Sequence, residues 1–226
     1  MKVTWLTQAG LLFDTGKMKI MVDPYLSDSL AEEGLSRKIP VDERFLSEIP
    51  DVLLITHAHG DHLDPATLDK ILKTDKCVTV LAPEKAFNAL LAYEKGNNLV
   101  LLPPHSVWSE GGVTFYSVKA EHSDRTAAGF IIDDGSETFY ISGDTVYNYD
   151  LIDDVLDLAP DGVDFAFLPI NGRGCNMNAH DAADLAYEIG AKTAVPLHYG
   201  LFDEITPSDF DFDDALILTP YEETKL

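Results

Sequence analysis

Four side chains able to bind a metal, His57, His59, Asp61 and His62, fall within the six residues His57-Ala58-His59-Gly60-Asp61-His62. Neutral imidazole nitrogens and carboxylate oxygens are donors that suit zinc, manganese or iron. His57 and His59 are two apart, so on an extended backbone both imidazoles lean to the same side. Gly60 lets the chain turn and bring Asp61 and His62 back toward the same point. The plain alternative is a surface loop merely rich in histidine. Donors this concentrated beside an apolar strand favour a metal site instead.

That strand is Val52-Leu53-Leu54-Ile55, short, apolar and bounded by Pro50 and Gly60, which reads as buried. The histidines then lie on the loop at its C-terminal end, where open α/β structures bind ligands. Upstream, residues 2–6, 11–14 and 18–22 read as a meander of short antiparallel strands. Asp23 follows, either as a partner that orients a ligand histidine or as an Asx turn before Pro24. Residues 26–49 are polar and poorly periodic, a candidate lid. Asp64-Pro65 reads as a helix cap followed by proline in the first turn, with the helix running to about Lys73. Asp64 is therefore a cap and not a ligand. A strand at 78–81, a helix at 83–93 and a strand at 99–102 continue the α/β alternation.

The second half repeats the order, with strands at 113–118, 129–133 and 138–142, the last two joined by an Asp134-Gly135 turn. A strand at 163–168, a helix at about 179–189 capped by Asn178, and a strand at 193–197 follow. His122, Asp144 and His198 each stand just beyond a strand. His105, after Pro103-Pro104, and His180, in a helix's first turn, read as surface residues.

The pattern H-x-H-x-D-H at His57, His59, Asp61 and His62 resembles the signature of the metallo-β-lactamase superfamily. Glu121-His122-Ser123, Ser142-Gly143-Asp144-Thr145 and Pro196-Leu197-His198-Tyr199 match, in order, the positions where that superfamily carries its remaining ligands. The resemblance implies an α/β fold, an αββα four-layer sandwich of two mixed β-sheets flanked by helices, here as one domain over 1–226. It implies two divalent ions, zinc or manganese with iron also suited. His57, His59 and His122 would hold one, Asp61, His62 and His198 the other, and Asp144 would bridge them. It assigns catalysis to Asp61 and Asp144, with water activated between the ions as nucleophile. Histidine at position 59, where the diiron oxygen-reducing members carry glutamate, points to a hydrolase.

The segment Pro169-Ile170-Asn171-Gly172-Arg173-Gly174-Cys175-Asn176-Met177-Asn178 looks like the L-ascorbate-6-phosphate lactonase-like branch of that superfamily. This implies a small anionic ester or lactone, such as a phosphorylated sugar lactone, as substrate. Asn171, Arg173 and Tyr199 are the candidate substrate-binding residues. The planar fork of Arg173 suits phosphate or carboxylate, and a surface arginine balancing local acids is the bland reading. Phosphodiesterase action on a lipid or nucleotide headgroup, or a non-catalytic metal-binding sensor, is the alternative function.

Composition narrows the partners. Sixteen basic against thirty-nine acidic residues give a net charge of −23, which repels nucleic acid. No apolar run approaches membrane-spanning length. The expected partner is a small anionic molecule, with neither nucleic acid nor membrane, and a homo-oligomer is left open. The N-terminus enters a strand directly without a secretory h-region, and Cys77 and Cys175 belong to no C-x-x-C pair. A cytoplasmic chain with free thiols is the expectation.

Overall fold

The computed structural model describes residues 1–226. The chain divides into two compact units. Unit 1 comprises Met1–Leu101, Gly200–Glu204 and Leu218–Leu226, and unit 2 comprises Leu102–Tyr199 and Ile205–Ile217. Each is built on one mixed sheet flanked by helices.

In unit 1, β1 (Lys2–Trp5), β2 (Leu11–Asp14) and β3 (Lys19–Val22) form the expected antiparallel meander. Then β4 (Val52–Leu54), β5 (Thr79–Ala82) and β6 (Asn98–Leu101) add in parallel. The switch from antiparallel to parallel requires crossovers, which are supplied by helical segments. The segment between β3 and β4, with its 3-10 turns, makes the first, and helix α1 (Pro65–Leu72) makes the second. Asp64 caps it by accepting from the amides of Ala66 and Thr67, so its reading as a cap holds. Leu68, Ile71 and Leu72 of α1 are buried, and each contributes about 1.5–3 kcal/mol by leaving water. Helix α2 (Glu84–Leu90) makes the third and ends in a 3-10 turn at Leu91–Tyr93.

Unit 2 follows the same plan. Strands β7 (Val107–Glu110), β8 (Val113–Lys119), β9 (Ala128–Asp133) and β10 (Thr138–Ile141) are antiparallel. Strands β11 (Phe165–Pro169) and β12 (Thr193–Leu197) then pair in parallel. Helices α3 (Tyr149–Leu158) and α4 (Ala179–Glu188) connect them, α3 packing on β8 and α4 on β11 and β12. A last strand, β13 (Glu223–Lys225), pairs with β1 at the edge of the first sheet. No helix is long and apolar enough to cross a membrane, and Cys77 and Cys175 are free thiols, both exposed.

The segment 26–49, read above as a candidate lid, is tied to the body of unit 1. It contains 3-10 helices at Ser29–Glu33 and Glu43–Ser47. Between them the Arg37 guanidinium donates to the Tyr25 carbonyl at 2.6 Å, the Ile39 carbonyl at 3.0 Å, Thr7 Oγ1 at 2.9 Å and Tyr221 Oη at 2.7 Å. It also lies over the Tyr25 ring, 5.3 Å from its centroid. One side chain thereby fastens the segment to the turn after β1 and to the stretch before β13. Arg37→Ala is expected to cost roughly 2 kcal/mol, lowering Tm by on the order of 5 °C in a calorimetric scan. An unchanged Tm would mean that the segment is not held by these bonds.

Candidate metal centre

The unit 1 cluster is the loop after β4. Asp23, at the end of β3 and fully buried, organises it. Its Oδ1 accepts from the Thr56 amide at 2.8 Å, and its Oδ2 accepts from Thr56 Oγ1 at 2.6 Å. The same Oδ2 lies 2.8 Å from His62 Nδ1. Of the two readings offered for Asp23, the structure shows the contact with a histidine of the loop, His62.

These partners favour one tautomer for each of the two histidines. The Thr56 hydroxyl spends its hydrogen on Asp23, so at 3.0 Å it accepts from His57 Nδ1. His62 Nδ1 donates to Asp23. Both rings therefore present a lone pair on Nε2. His57 Nε2 stands 2.9 Å from His59 Nδ1, and His62 Nε2 stands 3.8 Å from Asp61 Oδ2. The His57 and His62 ring centroids are 4.0 Å apart. The expected loop cluster is thus assembled within unit 1.

Gln8 is a participant that the sequence reading missed. Its Nε2 donates to Asp61 Oδ2 at 2.8 Å, which aims that carboxylate. Gln8 sits in the turn between β1 and β2, with φ +50° beside Thr7 at +73°. The turn is closed by Leu6 N to Gly10 O at 2.7 Å and by Trp5 Nε1 to Gln8 O at 2.9 Å. Left-handed backbone at residues other than glycine costs of order 1 kcal/mol each and persists where the surroundings over-determine it. The only available signal was local, a polar residue before Gly10. Gln8→Ala is expected to lower kcat by roughly 10-fold with little change in KM, measured by steady-state hydrolysis. An unaltered kcat would remove Gln8 from the site.

The unit 2 cluster comprises His122 after β8, Asp144 after β10 and His198 after β12, all buried. His122 Nδ1 donates to the Cys175 carbonyl at 3.1 Å, which leaves its Nε2 lone pair 3.9 Å from Asp144 Oδ2. His198 Nε2 lies 3.3 Å from Asp144 Oδ1. Cys175 at φ +67° and His198 at φ +61° also take left-handed backbone. Three loops are stitched together around them. Glu121 N donates to Thr145 Oγ1 at 3.0 Å, Val146 N to Glu121 O at 3.0 Å, and Met177 N to Thr145 O at 2.9 Å. The Cys175 carbonyl could not be foreseen, because a backbone acceptor leaves no trace in residue type.

The loop 171–178 therefore reaches this cluster through Cys175 and Met177. Asn171 Oδ1 and Asn176 Oδ1 are buried without a hydrogen-bond partner. Arg173 is exposed in the same loop. Tyr199 is buried, and burial pushes its phenol up to about 12, so it stays protonated at neutral pH. His180 is exposed, and His105 lies 3.8 Å from Asp154, outside both clusters.

The donor chemistry of both clusters fits divalent cations. Each Nδ1 bond fixes a ring with its Nε2 turned toward the neighbouring donors, an arrangement common among metal-binding histidines.

Sheets, loop positions and donors together define a protein of the metallo-β-lactamase type, and the β-lactamase superfamily domain model matches residues 18–199. A curated relative from Alkaliphilus metalliredigens, a UPF0173 metal-dependent hydrolase, is 30% identical over 96% of this chain and 93% of its own. The chain belongs to the UPF0173 metal-dependent hydrolase family of the metallo-β-lactamase superfamily. In fold it is similar to an isothiocyanate hydrolase from Delia radicum gut bacteria, with a TM-score of 0.77 at 18% identity, covering 100% of this chain and 99% of that one. It is also similar to a metallo hydrolase from Ignicoccus hospitalis, with a TM-score of 0.77 at 19% identity, covering 99% of this chain and 97% of that one.

Proposed function

We propose that residues 1–226 act as one hydrolase domain in which two divalent ions, zinc or manganese, are held by the side chains of both clusters. His57, His59 and His122 would ligate one ion, and Asp61, His62 and His198 the other, with Asp144 shared. The observation that carries this reading is the repeated tying of Nδ1: His57 to Thr56, His62 to Asp23 and His122 to Cys175. With Nδ1 so held, Nε2 of the three rings is turned toward His59 Nδ1, Asp61 Oδ2 and Asp144 Oδ2, at 2.9, 3.8 and 3.9 Å. When bound, such ions lower the pKa of water enough to supply a nucleophile near neutral pH, and they polarise the substrate oxygen.

The chain's own groups do the rest. Asp61, aimed by Gln8, orients the attacking water and accepts its proton. The protonated Tyr199 phenol donates to the substrate oxygen that gains charge. Asn171 accepts from a substrate hydroxyl, and Arg173, flanked by glycines, reaches an anionic group. The substrate is a small anionic ester or lactone, such as a phosphorylated sugar lactone. The net charge of −23 supports a small molecule over nucleic acid.

Elemental analysis of the purified protein, with turnover of a phosphorylated sugar lactone and of a generic phosphodiester, tests the reading. Two ions per chain and lactone turnover are expected. Two ions with phosphodiester turnover alone would move the substrate to a headgroup ester. Metal binding without either activity would replace the enzyme by a sensor.

A further inference from the structure

We propose that Arg125 holds the substrate's anionic group, a carboxylate or a phosphomonoester, in the unit 2 cavity beside His122. This rests on the hydrolase reading and names the residue that selects for charge. The cavity measures about 620 Å³ and is walled by Lys119, Glu121, His122, Ser123 and Arg125. That volume is within the range of small-molecule sites. One of its lining residues, His122, is a proposed metal ligand.

Arg125 is one of several basic side chains without a carboxylate partner, and of these it is the one that lines this cavity. Lys2, Lys19, Arg44, Lys73, Lys76 and Lys192 each sit against a carboxylate. Arg37 spends its guanidinium inside unit 1. Arg125 is exposed and has no acidic partner, although acidic residues greatly outnumber basic ones. Within the cavity Lys119 faces Glu121 at 3.7 Å. Those two charges offset each other, and Arg125 leaves one positive charge uncompensated. A single anionic group completes the balance.

The turn that displays Arg125 is closed before any ligand arrives. Ala120 N donates to Ala127 O at 3.2 Å, and Ala127 N donates to Asp124 O at 3.0 Å. Asp124 Oδ1 accepts from Thr126 N at 3.0 Å and from Thr126 Oγ1 at 2.9 Å. A guanidinium on a fixed turn engages a carboxylate or phosphate through two parallel N–H bonds with little ordering cost. Arg173 also lacks an acidic partner, but it does not line this cavity.

The test uses the full metal-loaded chain and two 4-nitrophenyl esters, the neutral acetate and the anionic hemisuccinate. Arg125→Ala is expected to reduce the preference for the anionic ester by about 10-fold through KM, the loss of one charge-assisted fork. Arg125→Glu should reduce it further, and Lys95→Ala, an exposed cation elsewhere, should not change it. In parallel, inorganic phosphate and acetate are titrated by calorimetry into the metal-stripped chain. Wild type should bind at least one, and Arg125→Ala should bind it at least 10-fold more weakly. The anion bound more tightly tells phosphomonoester from carboxylate. An unchanged preference and unchanged anion binding in both Arg125 variants would overturn the proposal, as would the whole effect appearing in Arg173→Ala. Failure of the hydrolase reading is distinct: no ester turns over and no metal is retained, while the anion titration still reports on Arg125.

Discussion

Asp144→Ala is expected to reduce hydrolysis by about 10³-fold or more, on the order of 4 kcal/mol of transition-state stabilisation. The carboxylate is the one group in unit 2 whose oxygens face both His122 Nε2, at 3.9 Å, and His198 Nε2, at 3.3 Å. In the proposed centre it is shared between two ions, a role that one imidazole cannot fill. The loop around it is held by backbone and hydroxyl bonds of Thr145. The variant should therefore fold, with an unchanged far-ultraviolet circular dichroism spectrum. Elemental analysis should show fewer ions per chain, and Asp144→Asn should resemble the alanine variant in activity while keeping side-chain shape. Full turnover by metal-free Asp144→Ala would remove the metal mechanism altogether.

The second large effect is expected at Asp23, which touches no substrate. Asp23→Ala strands the Thr56 amide, the Thr56 hydroxyl and His62 Nδ1 in a fully buried site. Orphaned buried donors cost roughly 1–3 kcal/mol each, so the fold should lose roughly 3 kcal/mol, on the order of 10 °C in Tm. Asp23→Asn separates the metal role from the structural one. Its amide would place N–H groups against His62 Nδ1 and favour the tautomer whose hydrogen sits on Nε2, the ligand atom. Metal affinity is then expected to fall by roughly 10–100-fold with a smaller change in Tm, read by competition with a chromophoric chelator. Wild-type affinity in Asp23→Asn would show that the Asp23–His62 contact does not set the tautomer.

The strands that carry His57, His122, Asp144 and His198 were legible because their signals are local. Val52–Leu54, Thr138–Ile141 and Thr193–Leu197 are apolar runs punctuated by Gly, Pro or Asp, and they fold within a residue or two of where they read. Asp64 was readable as a cap for the same reason, since its partners lie two and three residues on. Strand β13 was not readable. Glu223–Lys225 is polar and becomes a strand only because β1, more than two hundred residues earlier in the chain, offers its edge. Strand β7 is likewise a half-exposed edge with no apolar alternation. Helix α3 did carry a signal, the Asn148 cap and the buried Leu151, Ile152 and Val155, and it went unread among acidic neighbours.

By itself, then, the sequence determined which donors stand at strand ends and in what order, and from that order the α/β class and the family. Only the tertiary structure decided what aims them. Gln8 reaches Asp61 across fifty-three residues, Asp23 reaches His62 across thirty-nine, and the Cys175 carbonyl reaches His122 across fifty-three. These contacts depend on turns with left-handed backbone at Gln8, Asp23 and Cys175. Residue type does not announce such conformations, because the strain is sustained by packing and hydrogen bonds from elsewhere in the chain.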